Sequence, residues 1–213
     1  MPLSTTLLPA LLGLGTGLGL IVAIGSQNAF LLRLGITGRP RVVGAAVLVC
    51  AASDAVLIVA GVLGVGVVVE RFPVALVLVR IVGAGFLVTY GVLAARRALR
   101  PSGDALEPGP GAGPATLGMR RALVTMLALT WLNPHVYLDT LVFLGSVGNQ
   151  QGEAERWWWV AGAVLASCVW FAGLGFGARL LRPVFARPVA WRVLDGCIAV
   201  VMVALGVRIA LGA

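Results

Sequence analysis

The sequence predicts an all-α membrane protein that crosses the bilayer six times, and three observations support this fold class. Of the 213 residues, 60% are hydrophobic and 11% are charged, whereas soluble domains are about 45–50% apolar and about 25% charged. The mean hydropathy is +1.02. Apolar runs of about 20 residues, the length that a helix needs to cross a bilayer, recur along the chain. These observations exclude a soluble fold.

Six apolar runs are long enough to span a membrane. The predicted spans are residues 7–32, 42–69, 74–95, 122–148, 157–178 and 189–211. No basic segment precedes the first run, so we expect it to remain in the mature protein. The connector 96–121 is rich in proline and glycine, which predicts a flexible loop. This loop divides the chain into a first three-helix repeat, 1–95, and a second, 122–213.

The two halves share a pattern that predicts inverted repeats. Segment 79–83 (VRIVG) opens the third span and segment 191–196 (WRVLDG) opens the sixth, and each half carries a polar motif in its first span. Because each half has three spans, the second half must insert upside down relative to the first. Inverted repeats with broken helices are typical of secondary transporters. We therefore expect broken helices in spans one and four.

The distribution of arginine predicts the orientation. All 16 basic residues are Arg, and 12 of them lie within 33–41, 96–121 and 179–192. Basic loops stay on the cytoplasmic side of a membrane, so both termini should face outward. The net charge of +8 is then explained by topology and by contact with anionic lipid. It does not indicate a nucleic-acid partner.

Two aspartates lie inside apolar runs, where a charge is costly and marks a functional site by default. Asp54 is near the middle of the second span, and Asp139 follows the Asn133-Pro134 pair in the fourth. The functional interpretation is a carboxylate that alternately binds a proton and a cation. The alternatives are a neutral Asp54 bonded to a neighbouring helix, and an Asp139 paired with Arg80 or Arg192.

Two polar motifs predict the helix breaks. Pro134 lacks an N–H, so the carbonyl of Thr130 should lose its helical partner, and the Asn133 amide becomes a second ligand. The corresponding motif of the first half is Gly25-Ser26-Gln27-Asn28. Alternatively, these amides simply join helices to one another.

Other polar residues give weaker signals. Arg80 lies inside the third span and could neutralise a carboxylate or snorkel to the interface, while His135 is the one histidine of the chain. We predict no metal site, no cofactor and no catalytic residue. An intramembrane thiol carrier built on Cys50 and Cys168 is an alternative, but neither cysteine lies in a polar motif.

The motifs IGSQN at 24–28, CAASD at 50–54 and LTWLNPHVYLD at 129–139 resemble those of the lysine/arginine exporter family, LysE type, of bacterial plasma membranes. The similarity covers nearly the whole chain except the long loop. It implies efflux of lysine and arginine, with canavanine as a further candidate, and it places Asp54 and Asp139 on the family's membrane carboxylates. Gln27, Asn28, Asn133 and Pro134 fall on its two polar motifs.

Together these features predict a basic amino-acid exporter of the bacterial cell membrane, with a site built by spans one, two, four and five. Ser26, Thr130, Arg80 and His135 are accessory candidates. Moving a cation out against an inside-negative potential costs about 2.3 kcal/mol per charge per 100 mV, so proton antiport is the simplest mechanism. The alternative cargoes are another small amino acid or a cation, and a homodimer is a candidate assembly.

Overall fold

The computed structural model describes residues 3–22, 25–64, 73–99, 118–133 and 136–211, which form helices and turns without a strand among them. We number the helices along the chain. They are α1 Leu3–Ile21, α2 Ser26–Thr37, α3 Pro40–Val62, α4 Pro73–Leu99, α5 Met119–Trp131, the π-helical α6 Tyr137–Leu144, α7 Gly145–Asn149, α8 Glu155–Gly177 and α9 Pro188–Leu211. Two 3₁₀ turns, Ala178–Leu181 and Val184–Ala186, join α8 to α9.

Proline and glycine set several of these boundaries. Helices α3, α4 and α9 begin at Pro40, Pro73 and Pro188; a proline fits a first turn because its missing N–H would have no helical acceptor there. Gly152 has a φ of 91° in the turn before α8, a backbone conformation that strongly favours glycine.

Four helices are individually long and apolar enough to cross a membrane, namely Pro40–Val62, Ile81–Leu99, Glu155–Leu181 and Pro188–Leu211. They coincide with the second, third, fifth and sixth predicted spans, although residues 65–69 of the second lie outside the described residues. The first predicted span is a bent pair, Thr6–Ile21 and Ser26–Thr37, whose axes differ by 84°. A bend this sharp makes it either a broken span or a re-entrant segment.

The fourth predicted span does not form one continuous helix in the described residues. Helix α5 ends at Trp131, the helical chain resumes at Val136, and α6 then follows a wider π-helical course before α7. The described part of the chain therefore gives four to five candidate spans, and the six-span architecture remains a prediction.

Small residues let several helices approach closely. A Cβ on Gly162 of α8 would overlap the carbonyl oxygen of Ala10 in α1, and one on Gly13 would overlap that of Trp159. Helices α4 and α9 meet in the same way at Gly91 and Gly206. Such contacts are the usual means of helix association in a membrane, where lipid removes the hydrophobic driving force.

Candidate functional site

Asp54 is buried in the membrane interior and hydrogen-bonded to a neighbouring helix. Its side chain is in the middle of α3, the residue is 6% exposed, and its carboxyl Oδ2 accepts a hydrogen bond of 2.8 Å from the Ser167 hydroxyl of α8. A buried polar group must be hydrogen-bonded to avoid a large free-energy cost, and Ser167 provides the donor here. The bond joins the second predicted span to the fifth at the level of the carboxylate.

Asn28 is held by two other helices. Its Nδ2 donates to the carbonyl of Ile21, the last residue of α1, at 2.7 Å, and its Oδ1 accepts from the indole Nε1 of Trp170 at 3.2 Å. The side chain thus satisfies a carbonyl at the end of α1 that has no partner within its own helix. Trp170 follows Ser167 by three residues, so both side chains project from one face of α8.

The start of α2 meets the end of α5. The Ser26 hydroxyl donates to the carbonyl of Leu129 at 3.4 Å, and the indole Nε1 of Trp131 donates to the Ser53 hydroxyl at 3.1 Å. The first bond places the amino end of one half-helix against the carboxyl end of another. The second brings the end of α5 to the residue that precedes Asp54.

The end of α5 is more fully hydrogen-bonded than the sequence predicts. The Thr130 carbonyl accepts a long bond of 3.4 Å from the Asn133 N–H, and the Tyr137 hydroxyl donates to the Trp131 carbonyl at 2.8 Å. The Thr130 carbonyl still lacks an i+4 donor, because position 134 is a proline, but the Asn133 N–H gives it a partner one residue nearer in the chain. The Thr130 hydroxyl donates to the Met126 carbonyl at 2.9 Å.

Two further predicted residues lie near these helix ends. Asn133 is buried at 7% exposure. The Gln27 Nε2 is shielded from solvent and has no hydrogen-bond partner in the described structure. An unpaired amide donor in an apolar interior costs free energy, so Gln27 is available to an acceptor on a ligand.

Asp139 differs from Asp54 in its surroundings. It lies in the first turn of α6 and is exposed, so the structure does not bury the two carboxylates together. Arg192, one of the alternative partners of Asp139, donates through Nε to the carbonyl of Ala98 at 3.1 Å. Pro134, His135 and the Arg80 side chain lie outside the described residues.

A second buried charge cluster lies at another level of the bundle. Asp195 of α9 forms ion pairs with Arg33 of α2 and Arg97 of α4. We call these three residues the Asp195 triad. The sequence does not reveal this pairing, because Arg33 and Arg97 are 162 and 98 positions away from Asp195.

Sequence reasoning also missed Ser167 and Trp170. Both are polar positions within the apolar run of the fifth span, which is the signal that singled out Asp54. A serine or tryptophan is common enough in membrane helices that only its position on the inner face of α8 marks it as part of the site. No group of His, Cys, Asp or Glu that could hold a metal ion occurs in the described residues.

The structure has several apolar helices, two interrupted helices and polar side chains that face one another around a buried carboxyl. These features define a multi-pass membrane protein with an intramembrane polar site. The sequence model of the LysE type translocator family matches residues 18–213. The chain belongs to this family, which makes it a transporter.

Individual relatives agree with this assignment. A "Putative amino-acid transporter Rv0488" of Mycobacterium tuberculosis is 46% identical over 186 residues, which cover 87% of this chain and 89% of the relative. A "Lysine exporter LysE" of Corynebacterium efficiens is 37% identical over 222 residues, covering 93% and 96%. A protein of the same name in Corynebacterium diphtheriae is 34% identical over 224 residues, covering 94% and 97%. No solved structure matches the chain.

Proposed function

We propose that this protein exports basic amino acids, L-lysine and L-arginine, from the bacterial cytoplasm, with Asp54 compensating the cationic side chain of the cargo. The observation that carries the proposal is the buried Asp54 carboxyl, bonded to the Ser167 hydroxyl and set among the polar ends of α2 and α5. A membrane carboxylate without a basic residue within one helical turn attracts a cation by charge complementarity. Relatives named lysine exporters support the same cargo.

The polar helix ends offer partners for the backbone groups of an amino acid. The amino end of α2 presents a positive dipole end to a carboxylate, and the unpaired Gln27 amide lies beside it. Each carbonyl and amide oxygen has two lone pairs, so the oxygens at the ends of α1 and α5, and those of Asn28 and Asn133, can accept a second bond from an ammonium group. In this proposal the α-carboxylate binds at Gln27, the α-ammonium at the Asn28 and Asn133 breaks, and the cationic side chain at Asp54.

The helix pairing supports an inverted-repeat transporter with six spans. Helix α3 of the first half contacts α8 of the second through the Asp54–Ser167 bond, and α4 contacts α9 through Gly91 and Gly206. Each is a pair of helices that the predicted repeat would relate to each other. A site at the interface of two such halves is where secondary transporters bind their cargo.

Proton antiport completes the proposal. A cation leaving an inside-negative cell works against the potential, and one proton entering per cation cancels this electrical cost. Asp54 can carry out the exchange if its carboxyl holds either a proton or the cation. Asp139, exposed on α6, is assigned a secondary role in attracting cations to the site.

The test is efflux of labelled lysine and arginine from cells fed with dipeptides, which load the cytoplasm with free amino acid. We expect Asp54→Asn to reduce efflux at least about tenfold, equivalent to about 1.4 kcal/mol, at unchanged protein abundance. Glu153→Gln, an exposed acidic residue before α8, is the matched control and should export like the parent. If Asp54→Asn exports at the parental rate, the assigned role of Asp54 is wrong. If the parent protein exports only neutral amino acids, the proposal of a basic cargo is wrong.

A further inference from the structure

Three charged side chains from three helices meet in the Asp195 triad, and two of them are buried. Arg33 is 6% exposed and Asp195 4% exposed, while the side chain of Arg97 is 35% exposed. Arg33 Nη1 donates to Asp195 Oδ1, and Arg97 Nη2 approaches the same oxygen at 3.3 Å. One carboxylate therefore links α2, α4 and α9.

Aromatic rings enclose the two guanidinium groups. The Arg33 guanidinium lies 5.5 Å from the centre of the Trp191 ring, and that of Arg97 lies 5.9 Å from the centre of the Tyr90 ring. Phe30 of α2 packs edge-on against Tyr90, with 6.2 Å between ring centres. The cations are held by the faces of aromatic rings as well as by Asp195, and together these groups fill the space between the three helices.

The position of the triad along the chain points to the cytoplasmic end of the bundle. Arg33, Arg97 and Asp195 lie in or next to the arginine-rich segments 33–41, 96–121 and 179–192, which the positive-inside rule places in the cytoplasm. Asp195 is the one acidic residue in or beside these segments that the structure describes. At 1.5 Å per residue, Arg33 is about 7.5 Å along α2 from Asn28, so one short helix carries both a site residue and a triad residue.

We propose that the Asp195 triad is a gate that closes the cytoplasmic entrance to the transport site, and that it must separate for cargo to enter. The proposal rests on the proposed export function for its meaning, but the gate can be tested separately. In the closed state Asp195 holds α2 against α4 and α9. When the entrance opens, water hydrates all three charges, which offsets the lost ion pairs. Such a cluster can therefore alternate between a closed and an open state, whereas a rigid apolar seal could not.

The charge count predicts an order of effects. Asp195→Asn leaves two guanidinium groups facing each other without a carboxylate, so the helices should repel and the entrance should open. Arg33→Gln and Arg97→Gln each leave one neutral ion pair, so each should open the entrance less. Asp195→Glu keeps the carboxylate and should restore most of the closure.

Cys50 provides a natural reporter of the entrance. It is fully buried in α3, one turn before Asp54 on the side nearer Pro40 and hence nearer the proposed cytoplasmic end. In a Cys168→Ala, Cys197→Ala parent, it is the one remaining thiol of the chain. Its rate of modification by a charged, membrane-impermeant methanethiosulfonate, added to inside-out vesicles, measures access of water from the cytoplasmic face.

We expect Asp195→Asn to raise this rate about tenfold or more, with a smaller rise for Arg33→Gln and Arg97→Gln. Arg187→Gln, an exposed arginine in the turn before α9, is the matched control and should leave the rate unchanged. An unchanged rate in Asp195→Asn, or equal rises from both faces of the membrane, would overturn the gate.

Arg97→Gln carries the test if Asp195→Asn does not accumulate in the membrane, because the partly exposed Arg97 tolerates substitution better. In that case the proposal is overturned if Cys50 is modified in Arg97→Gln at the same rate as in the parent.

Labelled lysine efflux is measured on the same variants. If the parent exports no lysine while the Cys50 rates follow the expected order, the export proposal fails and the gate remains. If the parent exports lysine while the Cys50 rates stay flat across the variants, the gate fails and the export proposal remains.

Discussion

Two side chains on one face of α8 form hydrogen bonds with two residues of the proposed site. Ser167 donates to Asp54 and Trp170 donates to Asn28, so two residues of one helix connect α3 with the end of α1 and the start of α2. A fixed orientation matters in such a site because misplaced polar groups lose much of their interaction with the cargo. Helix α8 therefore positions groups that belong to other helices.

Removing the Trp170 donor should weaken transport without disturbing the fold. Trp170→Phe keeps an aromatic ring and deletes the N–H that binds Asn28, a bond worth about 0.5–1.5 kcal/mol. We expect lysine efflux to fall about 2–10-fold, as measured with dipeptide-fed cells. Trp158→Phe, an exposed tryptophan of the same helix, serves as the control, and equal efflux from the two variants would argue against a positioning role for Trp170.

The sequence reveals some of these residues and conceals others for a physical reason. Asp54 could be predicted because a charged residue within an apolar run stands out in the sequence itself. Ser167, Trp170 and the Asp195 triad depend on which helix faces which, and no periodic pattern records such pairing. The buried position of Asn133 and the exposure of Asp139 likewise follow from the course of the chain after Trp131.

Interrupted helices and glycine contacts determine how the elements are arranged. Helices α1 and α2 meet at 84°, and the Asn28 side chain satisfies the carbonyl that this bend leaves open. Gly162 and Gly13 bring α8 and α1 into backbone contact. The interruptions near Gly25 and Asn133 were predictable from polar residues and proline in apolar runs, whereas the π-helical course of α6 has no sequence signal that we recognise.

Close packing of α1 and α8 should make one glycine indispensable and a neighbouring glycine dispensable. Gly162→Ala would drive a methyl group into the Ala10 carbonyl, while a Cβ on Gly173 of the same helix meets nothing within 4 Å. We expect Gly162→Ala to destabilise the protein by about 1–3 kcal/mol, seen as a lower melting temperature in detergent. Gly173→Ala should melt at or above the parental temperature, and a similar loss in both variants would contradict the packing account.

At the scale of the whole molecule, the arginines are concentrated in three segments of the chain. The segments 33–41, 96–121 and 179–192 hold 12 of the 16 arginines, and the Asp195 triad joins the first two of these segments to α9. The predicted topology accounts for the strongly basic composition. The number of spans and the inverted repeat remain predictions, because the described helices give four to five candidate spans.

Cysteine labelling tests this topology directly. In a Cys50→Ala, Cys168→Ala, Cys197→Ala parent, Gln150→Cys in the turn before α8 should react with an impermeant maleimide on intact cells. Ala186→Cys in the 3₁₀ turn before α9 should react only after the cells are opened. Both positions are exposed, so access to the reagent depends on the side of the membrane, and the reverse pattern would invert the orientation and with it the side of the proposed gate.

Exchange of a basic amino acid for a proton at Asp54 is best tested by proton-driven transport in proteoliposomes. Vesicles containing the purified protein are given a proton gradient, and movement of labelled lysine against its own concentration gradient is followed. We expect concentrative lysine movement opposite to the proton flux in the parent and none in Asp54→Asn. Gradient-driven lysine movement that is equal in the parent and in Asp54→Asn would contradict it.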